Sequence, residues 1–300
     1  MDTLREVLAP DFLLRNSVYT SLLIGAACPL VGVYLVLRRL IFMGVALPQI
    51  SSCGIAAAFA LHTWHIIPHL EESTENTLAF VGSTAFTLAA ILVLSLLERR
   101  GRGIVEGRLG TVYVLAGAWS ILLLVKNPFG EHGLLDRLKG EIIAVSNSDL
   151  SLTAVAFGIV LLALFIFQKE FMLVSFDRDL AASLKKNVLG WDTLLFLLIG
   201  LTISMSVLSV GPLVTFGFLL LPSLIAHLLA NSMRQLAVLA ASIGLVSALA
   251  GFCVAYRYDL PVGPTDVALL GVLYGLAFVW KKSVELLRRT ATDNAPAGSR

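Results

Sequence analysis

Apolar runs almost free of charged side chains recur along the whole chain, each close to the about 20 residues a helix needs to cross a hydrocarbon core. Nine are readable, at roughly 19–37, 42–61, 78–97, 110–125, 150–168, 193–209, 211–230, 235–253 and 265–280. The fourth and ninth are short. Only Gly211-Pro212 marks the junction of the sixth and seventh, so eight spans with one re-entrant pair is the alternative count. The predicted fold class is an all-α polytopic transmembrane helical bundle with no soluble domain between its spans.

The cationic residues give that bundle a direction. With the N-terminus outside and nine crossings, Arg5, Arg15, Lys126, Arg137, Lys139 and Arg257 stay outside and the other sixteen of the 22 Lys and Arg fall inside. That bias satisfies the positive-inside rule and makes the C-terminus cytoplasmic. Residues 1–16 mix acids with Arg5 and Arg15 and read as an interfacial stretch, not as a basic leader before Cys28. The membrane-embedded core is then 17–282, and 283–300 is a cytoplasmic tail whose last ten residues are expected to be disordered.

Composition agrees with the pattern. The 300 residues are 57% hydrophobic and 14% charged, with mean hydropathy +0.87, whereas soluble chains carry about 25% charge. A net charge of +2 offers no surface for nucleic acid. Cys28, Cys53 and Cys253 all lie in apolar runs and report nothing about compartment.

Catalytic signatures are missing. No Gly-Lys dipeptide occurs, hence no P-loop, and there is neither a His-Glu-x-x-His helix nor a Gly-x-Ser-x-Gly elbow. The chain reads as a transport subunit rather than an enzyme, and any ATPase is a separate chain. The inside loop from Gln168 to Lys186 contains a short helix that Asp177 can cap, with Leu180, Ala181 and Leu184 apolar and Lys185 and Lys186 at its negative end. Such a helix lies on the inner leaflet or docks into a cytoplasmic motor subunit.

Five segments, in order, resemble the membrane subunits of ATP-binding-cassette importers for zinc, manganese and ferrous iron. They are Val33 to Leu47, Glu141 to Ser146, Phe176 to Ala181, Leu219 to Pro222, and Asp259 to Thr265. The resemblance runs from about residue 17 to 282. It implies a bacterial inner-membrane permease that pairs with a second permease of the same or similar kind and binds cytoplasmic ATP-binding subunits. Cargo would come from an extracytoplasmic solute-binding protein and move by alternating access. It also implies that Phe176, Asp177, Arg178, Asp179, Leu180, Ala181 and Leu184 form the coupling helix, that the chain binds no cofactor of its own, and that a divalent metal is cargo.

One stretch departs from the family. Where its second span reads Gly-Asp-x-x-Ser-His, this chain has Gly44-Val45-Ala46-Leu47-Pro48-Gln49, which removes an acid and an imidazole. A neutral amide coordinates a cation weakly, so the same fold could instead import a metal chelate or a small neutral solute, or serve as a transport-deficient scaffold. Val45, Gln49, Ser52 and Cys53 are the transport-path candidates, although small residues there also suit close helix packing. His62, His65 and His69, with His227 near the end of the seventh span, are the candidate metal-attracting residues. Pro68 interrupts the helical face the first three would share. Gly271 and Gly275 form a GxxxG that suits helix contact.

Overall fold

A computed structural model describes residues 12, 14–63, 72–99, 105–125 and 145–293, and every described element is helical. In chain order these are α1 (Arg15–Leu37), α2 (Ile41–Thr63), α3 (Glu72–Arg99), α4 (Val105–Val125), α5 (Asn147–Ile166), α6 (Gln168–Phe176), α7 (Arg178–Ser183), α8 (Val188–Leu229), α9 (Met233–Tyr258) and α10 (Val262–Asp293). Seven of them are long and apolar enough to cross a membrane, and α3 adds a shorter apolar stretch, Thr77–Val93. The chain is a multi-pass helical bundle.

Local chemistry places the helix ends. Ser146, Asp177, Asn187 and Ser232 each accept a backbone N–H three residues on, capping α5, α7, α8 and α9. Arg39, Lys185 and Asp259 adopt left-handed backbone after α1, α7 and α9. In each case the next residue's N–H returns to a carbonyl five positions earlier, Leu40 to Leu35, Lys186 to Ala181 and Leu260 to Ala255, closing the helix tightly. α10 continues to Asp293, past the end expected for the last span. Residues 281–293 contain no Gly or Pro, so nothing in them interrupts the helix.

The 42-residue α8 is the centre of the core, with 78% of its most apolar window buried. Its contacts with α1 show that it doubles back. Asp192 meets Arg38 and Ser206 meets Cys28, so the first half climbs α1. Ser223 then donates to the Pro29 carbonyl and Ala226 packs with Val33, so the second half descends it. The reversal is at Gly211, whose φ of 77° and ψ of 171° suit only glycine, and Pro212 starts the second half where no N–H is needed. The Thr215 hydroxyl donates to the Gly211 carbonyl at 2.7 Å.

Around α8 the neighbours alternate in direction. α9 runs antiparallel to α1, with Ala240 beside Val33 and Phe252 beside Val18. α1 approaches α9 closely where Gly25 meets Gly244, and it approaches the second limb of α8 at Gly32, where a Cβ would run into the Leu219 carbonyl oxygen. α2 pairs with α3 through Ser51 and Ser83 and with α4 through Ser52 and Ser120. α4 and α10 are peripheral, with 22% and 17% of their apolar windows buried. Gly271 and Gly275 face open space, so their GxxxG meets no helix among the described residues.

Candidate functional site

The short helix anticipated after Asp177 is α7. The Asp177 carboxylate accepts the Leu180 N–H at 2.9 Å and Ser183 donates back to the Leu180 carbonyl. Ala181 is fully buried against the bundle, while Leu180 and Leu184, with Phe176 just before the cap, are 48%, 57% and 56% exposed. An apolar edge is therefore left uncovered by the chain itself. Asp179 is exposed, and the Arg178 side chain lies outside the described residues.

α7 is mounted on a rigid node. Just before it, α6 buries Phe171 and Val174. Phe171 stacks edge-on with Tyr34 of α1 and Trp191 of α8, at 6.1 and 5.9 Å between ring centres. Arg38, at the end of α1, donates to Ser175 at 2.9 Å, pairs with Asp192 at 2.6 Å, and lies 5.6 Å from the centre of the Phe196 ring. Three elements distant in sequence are thus tied beneath α7 by one guanidinium. By contrast, the exposed Lys186–Glu170 pair at 3.9 Å contributes little.

The path candidates lie on α2. Val45 and Gln49 are one turn apart and half-buried, on a stripe flanked by fully buried residues. Gln49 rests against α4 at Gly117, where a Cβ would come within 3.0 Å of its amide nitrogen. The Ser52 hydroxyl is engaged with Ser120 at 3.0 Å, and Cys53 is buried. Ser51 and Ser83 share a hydrogen bond of 2.6 Å, Ser83 also donates to the Ser204 carbonyl, and Cys28 meets Ser206 at 2.9 Å. These contacts bind α1, α2, α3, α4 and α8 through neutral groups, and the stripe carries no charge.

The histidines are not assembled into a centre by the described part of the chain. His227 is exposed in the last turn of α8. The His62 side chain, and the whole of His65 and His69, lie outside the described residues. Among the described residues there is no group of three or more His, Cys, Asp or Glu able to hold a metal ion.

Two features escaped the sequence reading. The Arg38–Asp192 pair joins residues 154 apart, and nothing local announces it. Asp266 did leave a signal: it is the single acid between Val262 and Trp280, inside an apolar run, where an ionisable residue is costly.

The sequence pattern of the ABC 3 transport family matches residues 11–281. The chain belongs to that family. This permease is similar to the manganese transport system membrane protein MntC of Listeria monocytogenes, 26% identical over 274 residues, or 91% of this chain and 92% of that protein. It is also similar to the manganese import system permease protein ScaB of Streptococcus gordonii, 24% identical over 277 residues, with 92% and 94% covered. In three dimensions it resembles PsaBC from Streptococcus pneumoniae, solved with a Fab, at a TM-score of 0.76 and 24% identity over 89% of this chain and 92% of that one. An inward-facing transporter described as of metal-chelate type matches at a TM-score of 0.70 and 18% identity, covering 88% and 85%. The permease is a transport subunit with the fold of those proteins.

Proposed function

We propose that this permease imports divalent metal ions, manganese foremost, by alternating access driven by separate ATP-hydrolysing chains. The observation that carries the reading is the family match over residues 11–281, joined by relatives whose own names give manganese as the transported ion. Zinc and ferrous iron are the competing cargoes within the same reading.

The arrangement assigned to the chain is nine crossings. Seven long helices, the Thr77–Val93 stretch and the second limb of α8 make up that count. The N-terminus lies outside, and the end bearing α7 and Arg38 faces the cytoplasm of a bacterium. There the exposed Phe176, Leu180 and Leu184 dock α7 into a groove of a cytoplasmic ATP-binding subunit. The Arg38 node transmits movement of that helix to α1 and α8. A second permease, identical or similar, completes the pathway, and an extracytoplasmic solute-binding protein delivers the ion.

The test is transport by the complete complex reconstituted in liposomes with its ATPase and binding protein. ATP-dependent uptake of radioactive manganese, diminished by competing zinc or iron only where those ions share the path, is the expected result. Absence of ATP-dependent metal uptake refutes the reading. Import of a metal chelate is the second reading. It is favoured by the neutral Val45 and Gln49, and would appear as uptake only when a chelator accompanies the metal.

A further inference from the structure

Asp266 sits one turn into α10, fully buried, and neither carboxylate oxygen has a hydrogen-bond partner. It is the only fully buried carboxyl among the described residues. Its carboxyl group lies against Gly251 of α9, where a Cβ would run into Oδ1, and the adjacent Val267 packs on Gly217 in the second limb of α8. The glycine at 251 makes the room that the acid occupies.

Further unsatisfied hydroxyls lie at the same height, Thr20 and Ser21 on α1 and Ser247 on α9. Ser247 is one turn from Gly251 on α9, and its hydroxyl is buried without a partner. Ser21 of α1, equally orphaned, falls between Val18, which clusters with Phe252, and Gly25, which meets Ala248, and so lies level with Gly251. Buried polar groups in folded proteins are nearly always paired, and a buried carboxylate with no partner is the most costly kind of exception. Three helices thus bring orphaned polar groups to one level, where an occupant that supplies positive charge would satisfy the acid.

The geometry points to Asp266, assisted by Ser21 and Ser247, as an intramembrane cation site in the outer half of the bundle, which the transported ion occupies on its way through. This inference rests on the reading of the chain as a divalent-cation importer. A carboxylate with hydroxyls is a hard-oxygen donor set, suited to manganese before softer ions. It supplies the negative charge that Val45 and Gln49 do not.

The experiment compares wild type with Asp266→Asn, which keeps the size of the side chain and mimics a protonated acid. Manganese binding to the purified permease is followed by electron paramagnetic resonance, and uptake by the reconstituted complex. Asp266→Asn should weaken manganese binding at least about tenfold and depress uptake with it, and Ser247→Ala should weaken binding a few-fold. Equal binding by wild type and Asp266→Asn, including none by either, overturns the site, as does lost uptake with binding intact. If Asp266→Asn does not yield a monodisperse permease, Ser247→Ala decides, and unchanged manganese affinity there overturns the site. A wild-type complex that transports no metal refutes the cargo reading instead, whatever the binding result.

Discussion

Replacing Arg38 by Met removes the guanidinium while keeping much of the apolar stem. The pair with Asp192 is short, 2.6 Å, and its side chains are 5% and 16% exposed, so little water can replace the lost partner. Breaking a buried pair costs about 3–5 kcal/mol, because the remaining charge is left uncompensated. Asp192 retains some contact with solvent, which points to the lower end, about 3 kcal/mol. Loss of the guanidinium over Phe196 adds about 0.5–1 kcal/mol. The expected destabilisation is therefore about 3.5–4 kcal/mol for Arg38→Met alone. The double replacement Arg38→Met with Asp192→Asn should cost about 1–2 kcal/mol, since it abandons no charge. The assay is reversible unfolding in mixed micelles followed by tryptophan fluorescence. Trp191 reports from inside the node, its ring 5.2 Å from that of Phe167 and 5.9 Å from that of Phe171. A single variant within about 0.5 kcal/mol of wild type would refute the reasoning, as would a double variant no more stable than the single one.

Leu180→Asp puts a charge on the exposed apolar edge of α7 and should uncouple ATP hydrolysis from uptake without impairing membrane insertion. ATPase activity and uptake that stay coupled as in wild type would speak against docking. A cysteine placed at Asn76 should react with an impermeant thiol reagent from outside, and one at Ser183 only after permeabilisation. The reverse order would invert the topology. Val45→Asp together with Gln49→His, one turn apart on the half-buried stripe of α2, should raise divalent-metal uptake or shift its selectivity. Radioactive zinc and manganese uptake over a concentration series, unchanged by the two replacements, would show that α2 does not contact the ion.

The features legible in the sequence are those whose physics is local. Hydropathy over about twenty residues is enough to demand a membrane-spanning helix, because backbone groups in lipid must be satisfied within the segment. The cap at Asp177 needs only a carboxylate and an N–H three residues later. Gly211-Pro212 marks a break through the conformations those two residues permit, although the pair does not say that the chain doubles back there. Which faces meet was decided by tertiary structure. In a chain that is apolar toward both lipid and protein interior, periodicity gives no sign of an inner face, so Ser52 on Ser120 or Cys28 on Ser206 cannot be paired from spacing. Arg38 and Asp192 each read as an ordinary charge at the end of a span until α1 and α8 bring them together. The isolation of Asp266 is likewise a property of its surroundings. A single acid in an apolar run is visible in the sequence, but its lack of a partner appears only when α1, α8, α9 and α10 are packed and no neighbour supplies a donor.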